Sequence, residues 1–149
     1  TYLDARAALA YLHSRKEINR EKIIFFGRSL GSAVAVELAL NEKCRALILE
    51  TPFTSILEMG KKLYPFLPVS LLLKTKYDSL AKIRNIKVPI LVMHGDKDAL
   101  VPFEHGKRLY DMANEPKEFY TIPGAGHNDT HIVGGDEYFD VIKEFVNKL

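Results

Sequence analysis

Amphipathic stretches and short apolar runs alternate along this chain, each about as long as one structural element. Leu3, Ala7, Ala10 and Tyr11 recur at helical spacing and predict an amphipathic helix ending near His13. A polar connection at Asn19 and Arg20 follows. Residues 22–26 end in Ile23, Ile24, Phe25 and Phe26, which predicts a strand buried on both faces. Residues 30–40, rich in alanine and valine, predict a helix able to lie close to a sheet, and 45–49 predict a second buried strand. Strand, helix and strand at this spacing make a parallel βαβ unit. Residues 50–55 leave the second strand as a loop, and 56–64 predict a short helix. Pro65 and Pro68 interrupt the large apolar residues that follow, so 54–80 reads as a lid or cleft wall, with a simply packed loop as the alternative. Asp78 or Ser79 caps a short helix running through Ile83. The pattern then gives a strand over 89–94, a helix over 103–112 and a strand over 118–122. Tyr138, Val141, Ile142, Phe145, Val146 and Leu149 mark one stripe of a closing helix. The alternation predicts an α/β domain: a mostly parallel sheet with helices on both faces.

Composition narrows the function classes. A chain of 149 residues supports one domain with one core. Net charge is +2 and no run of Lys or Arg forms a basic stripe, which argues against a nucleic-acid partner. Cys44 stands alone, so no internal disulfide forms, and no Cys/His spacing suits zinc. No apolar run is as long as a membrane span. The chain opens on Thr1 inside a helical pattern, which leaves a signal peptide or membrane anchor in a longer parent chain open. A cytoplasmic setting is the favoured expectation.

In a parallel sheet, chemistry gathers outside the carboxyl ends of the strands, and the loops there carry reactive residues. Gly27-Arg28-Ser29-Leu30-Gly31 joins the first strand to the next helix in the pattern G-x-S-x-G. At a nucleophile elbow the serine occupies a strained turn and its hydroxyl projects from the end of the sheet. Small residues are expected on both sides, because the two backbones pass close together. The N–H of Leu30, at a helix N-terminus, would point where an oxyanion forms. A serine hydroxyl needs a neighbouring base, and an imidazole needs a carboxylate behind it to fix its tautomer. Ser29, Asp98 and His127 supply these types in chain order, each after a different strand. Asp96 competes with Asp98 but suits a turn cap. His127 follows Gly124 and Gly126, which permit a sharp turn; His131 lies beyond it. His94 reads as a packed residue at a strand end, and His13 and His105 as solvated helical positions. Arg28 is expected to anchor the elbow by an ion pair, with contact to an acidic group on a substrate as the alternative. Asn128 and Asp129 are expected to cap the final loop. Phe53 and Leu100, with 64–69, are candidate walls of a substrate pocket.

The elbow, Thr51-Pro52-Phe53-Thr54-Ser55, His94-Gly95-Asp96-Lys97-Asp98 with Val101-Pro102, and Gly124-Ala125-Gly126-His127-Asn128-Asp129 together resemble one group. It is the alpha/beta-hydrolase superfamily, and within it the small serine hydrolases of the alpha/beta-hydrolase-domain-containing type. The resemblance spans nearly the whole chain. It implies hydrolysis of an ester or thioester, with Ser29 as nucleophile, Asp98 as acid and His127 as base. It implies a small-molecule or acylated substrate and no metal or organic cofactor. A peptidase of the same superfamily and a non-catalytic hydrolase-fold binding module are the alternatives. The full fold carries further strands before the elbow, with the loop that gives a second oxyanion N–H. Residues 1–149 are therefore expected to form the C-terminal half of that fold, four mostly parallel strands with flanking helices. The first strand should then show an apolar flank with unpaired backbone groups, for which the missing N-terminal half is the natural partner.

Overall fold

A computed structural model describes residues 1–72 and 77–149. The chain begins with α1 (Tyr2–Ser14) and a 3-10 turn at Arg20–Lys22, in which the Glu21 N–H donates to the Asn19 side chain and the Lys22 N–H to the Asn19 carbonyl. That cap draws Lys22 into the turn, so β1 covers Ile24–Arg28 and starts later than residue 22. Next come α2 (Leu30–Asn41), β2 (Ala46–Glu50), α3 (Ile56–Leu63) and α4 (Val69–Leu72). α5 (Ser79–Ile83), capped by the Asp78 carboxylate, β3 (Ile90–Gly95), α6 (Phe103–Met112), β4 (Lys117–Ile122) and α7 (Thr130–Asn147) complete the order. Gly135, at φ +53°, kinks α7 between its first turn and its longer second part.

The four strands form one parallel sheet in the order β1-β2-β3-β4. Side chains on a strand alternate between faces, and the core divides accordingly. Leu47, Leu49, Ile90 and Val92 join a cluster with Leu9, Val36, Ile83 and Leu109 from α1, α2, α5 and α6. Ala46, Ile48, Leu91 and Met93 join the opposite cluster with Tyr138 and Phe145 of α7. Helices therefore cover both faces, as the alternation of elements predicts, and β2 and β3 are buried throughout. A Lys82–Glu37 ion pair at 2.7 Å joins α5 to α2.

Two expectations about burial fail. The stripe predicted for α1 faces outward: Leu3 is 78% exposed and Tyr11 is exposed, while Leu9 turns inward. β1 is buried on one face only, with Phe26 48% exposed on the other. α7 packs chiefly on β3 and β4, and from β1 only Ile24 joins its cluster, so Phe26 is left uncovered. β1 is thus an edge strand, as expected of the C-terminal half of a larger sheet. An apolar groove of about 490 Å³ runs beside it, lined by Leu9, Leu12, Phe26, Gly31, Val34 and Leu38 among others.

Within 54–80, Ser55 caps α3 by accepting the Glu58 N–H at 3.1 Å. Arg108 of α6 holds Glu58 with two bonds of 2.5 and 3.1 Å. Tyr64, Phe66 and Leu67 are exposed. The part of the expected lid at 73–76 lies outside the described residues. His105, read as solvated from its helical position, is instead buried against the loop after β2, its Nδ1 2.7 Å from the Thr54 hydroxyl.

The expectation about small residues at the elbow holds on one side. A Cβ at Gly27 would lie 2.3 Å from the Gly31 carbonyl oxygen, whereas a Cβ at Gly31 would meet nothing within 4 Å. Gly27→Ala should therefore destabilise the domain by about 1–3 kcal/mol, read from denaturant unfolding. Gly31→Ala, in the first turn of α2, should be neutral or slightly stabilising.

Burial chiefly lowers the pKa of His105, with Arg108, Lys62 and His94 adding to the effect and Glu58 opposing it. The unfolded chain then binds this proton more readily than the folded one. The contribution to stability is complete above the ordinary value of 6.5 and is lost as pH falls below it. Thermal unfolding followed from about pH 7.5 to about pH 5 should show a steeper fall in Tm for the native chain than for His105→Gln.

Candidate active site

The turn from β1 into α2 puts Ser29 at φ 51°, ψ −118°, a conformation that a non-glycine residue adopts only when its surroundings impose it. The Ser29 N–H donates to the Glu50 carbonyl at 2.9 Å, and the Ser29 carbonyl accepts from the N–H and hydroxyl of Ser32 at 3.0 and 2.5 Å. Both peptide groups of the serine are thus tied down and its side chain is left free to project. Leu30 is the first residue of α2, so its N–H has no intrahelical acceptor.

Asp98 follows β3. The N–H groups of Leu100 and Val101 donate to its Oδ1 at 3.0 and 2.8 Å. Oδ2 lies 2.7 Å from His127 Nδ1 and 3.4 Å from His94 Nε2. Burial pushes the Asp98 pKa up, but the hydrogen bonds from His94, His127 and Val101 outweigh it and hold the carboxyl below its ordinary value. Asp98 is therefore a carboxylate at neutral pH.

The loop after β4 is braced from both sides. Asp96 Oδ1 accepts the Gly124 N–H at 2.7 Å and Asp129 Oδ1 accepts the Gly126 N–H at 2.7 Å. Asp96 is a turn cap, as its sequence context suggests, though the turn belongs to the neighbouring loop. Arg28 donates to the His127 carbonyl at 2.6 Å and to Asn128 Oδ1 at 3.2 Å. His127 Nε2 then lies 3.0 Å from Ser29 Oγ. A carboxylate only accepts, so Nδ1 carries the ring proton facing Asp98. Nε2 is left with a lone pair toward the serine hydroxyl. That tautomer can take a proton from Ser29 and be steadied by Asp98 once charged.

Ser29, Asp98 and His127, up to 98 residues apart, are therefore brought together. The other candidates divide. Leu30 is in place beside Ser29. Phe53 is 3% exposed and packs among Ala33, Met59 and Val101, so it is a core residue rather than a wall of an open cleft. Leu100 is 46% exposed and its N–H serves Asp98. His131 is exposed on α7 and His94 is fully buried on β3. Sequence reasoning missed what His94 touches: its Nε2 also lies 2.9 Å from the Val101 carbonyl. It also missed Glu50, a buried carboxylate that receives Thr130 and Tyr138 from α7 and lies 3.4 Å from Arg28 Nε. The signal was available, since Arg28 and Glu50 each end a parallel strand and sit opposite one another in register. Among the described residues no group of three or more His, Cys, Asp or Glu is arranged to hold a metal ion, and no helix is long and apolar enough to cross a membrane.

The model of the prolyl oligopeptidase family matches residues 1–147. An uncharacterized protein of Mycobacterium tuberculosis is 41% identical over 97% of this chain and 52% of its own length. Human alpha/beta hydrolase domain-containing protein 17B is 33% identical over 99% of this chain and 49% of its own. The chain thus spans about half the length of these curated relatives. An esterase from Pyrococcus furiosus superposes with a TM-score of 0.80 at 22% identity, over 99% of this chain and 61% of that one. A monoacylglycerol lipase from Paleococcus ferrophilus superposes with a TM-score of 0.69 at 16% identity, over 98% and 74%. The parallel sheet, the strained serine turn and the family match converge: the chain belongs to the prolyl oligopeptidase family and has the alpha/beta-hydrolase fold.

Proposed function

We propose that this chain carries the reaction centre of a serine hydrolase acting on an ester or thioester. The observation that carries the reading is the Ser29–His127–Asp98 relay, with contacts of 3.0 and 2.7 Å between side chains from three separate loops. The esterase and lipase names of the structural neighbours agree with it. In this reading Ser29 Oγ attacks the substrate carbonyl as its proton passes to His127 Nε2. Charge develops on the carbonyl oxygen and the Leu30 N–H donates to it. The tetrahedral intermediate collapses, His127 protonates the leaving alcohol or thiol, and an acyl group remains on Ser29. Water then attacks the acyl-enzyme, His127 taking its proton and returning it to Ser29 Oγ as the acid departs. Asp98 stays ionised throughout. A second reading, peptide hydrolysis, has the family description in its favour. The acyl-enzyme chemistry is common to both, and only the leaving group differs.

The whole protein should be labelled by a fluorophosphonate probe and should hydrolyse 4-nitrophenyl and thioesters faster than peptide anilides. Ser29→Ala should abolish labelling. A folded, unlabelled whole protein would favour a non-catalytic module, and faster anilide cleavage would favour the peptidase. Asp98→Asn, which leaves Nδ1 without its carboxylate, should lower kcat by about 10⁴, read from steady-state rates on the better ester.

A further inference from the structure

Glu50 has no step in that reaction, yet it stands where the moving parts meet. It is 3% exposed at the end of a strand whose preceding residues, Ala46 to Leu49, are all apolar. A carboxylate survives such burial only when it is paired and its lone pairs are filled. Here the two oxygens have different partners. Oε1 accepts the Thr130 hydroxyl and faces Arg28 Nε at 3.4 Å, while Oε2 accepts the Tyr138 hydroxyl at 3.1 Å. Burial, reinforced by Glu50, pushes the Tyr138 hydroxyl up to about 12, so it remains a donor. The main chain of Glu50 does a separate job, its carbonyl accepting the Ser29 N–H at 2.9 Å.

Arg28 closes the circuit. It precedes Ser29, faces Glu50 with Nε, and reaches the His127 carbonyl at 2.6 Å with one terminal nitrogen. The path runs from the elbow to Glu50, from Glu50 into α7 at Thr130 and Tyr138, and from Arg28 back to the residue that bears the imidazole. Asp98 stands outside it, held by the backbone of its own loop. Two partners of the relay, Ser29 and His127, are thus fixed to each other by a bridge that touches neither reacting atom.

We infer that Glu50 and Arg28 are positioning residues, an ion pair with a buried carboxylate and a solvent-facing guanidinium that holds the His127 backbone at a set distance from the Ser29 turn. The inference rests on the proposed serine-hydrolase reading. A guanidinium is suited to the task because its planar fork can serve a carboxylate and a carbonyl together, which an ammonium cannot do from one point. Misplacing a base by about 1 Å costs on the order of 10²-fold in rate.

The test compares Arg28→Ala, Arg28→Lys, Glu50→Gln and the double variant Arg28→Met/Glu50→Gln in the whole protein, using a 4-nitrophenyl ester and the fluorophosphonate. Glu118→Ala, which breaks the distant Glu118–Lys148 pair, is the control. Arg28→Ala should lower kcat about 10- to 100-fold with KM changed less than about twofold, and should slow labelling by a similar factor. Arg28→Lys should recover part of the loss. If the unpaired, buried Glu50 carboxylate unfolds Arg28→Ala, the double variant, which carries no charge at either place, is read instead and should remain slow. A raised KM with kcat unchanged would overturn the inference in favour of substrate contact by Arg28. Full activity in Arg28→Ala, or in the double variant, would overturn it outright. Activity surviving Ser29→Ala would strike the underlying reading instead, whatever the Arg28 variants do.

Discussion

All strands of the sheet run in one direction, and the rest of the structure depends on that. A parallel ladder places every carboxyl end on the same rim. Arg28 is level with Glu50, Glu50 with Met93, and Gly95 with Ile122. The segments leaving these positions have no choice but to share one surface. Ser29 follows its strand at once, Asp98 lies three residues beyond the end of β3, and His127 five beyond the end of β4. Short exits leave little slack, so convergence is set by the ladder and refined by side chains.

The refinement is layered. Closest in, the serine turn is held in its strained conformation by the backbone of β2 and by α2. Next, the carboxylate is gripped by backbone N–H groups and flanked by two imidazoles, which keeps it ionised although its side chain is sealed from solvent. Further out, hydrogen bonds from Asp96 and Asp129 hold the glycine turn, each carboxylate serving a peptide N–H that no strand or helix would satisfy. The strain at Ser29 persists because so many neighbours agree on it.

The order of elements and the meeting of Ser29, Asp98 and His127 were legible because both rest on local signals. Apolar runs of strand length marked β2 and β3, and glycines marked the turns that present Ser29 and His127. Burial direction was not legible where a segment is apolar on more than one side. In α1, Leu3 and Tyr11 make as good a stripe as Tyr2, Ala5, Leu9 and Leu12, and periodicity has no means of choosing between them. β1 misled in the same way, because Phe26 looks like core until the reach of α7 is known. His105 looked solvated because its partner, Thr54, comes from a loop 51 residues earlier. The contacts of Glu50 with α7 were hidden too, since Thr130 and Tyr138 lie 80 and 88 positions away, where spacing along the chain carries no information.

The helix that follows Asp98 approaches the sheet at one point with no room to spare. A Cβ at Gly106 would sit 2.4 Å from His94 Nδ1, a ring nitrogen that is buried without a hydrogen-bond partner. The other nitrogen of that ring rests against Val101 and Asp98. Even a methyl group at position 106 would have to push the imidazole aside, and the shove would arrive at the carboxylate behind His127. A geneticist scanning for loss of function would therefore find lesions on the sheet-facing side of α6, out of contact with Ser29 and His127, whose damage is delivered by displacement alone.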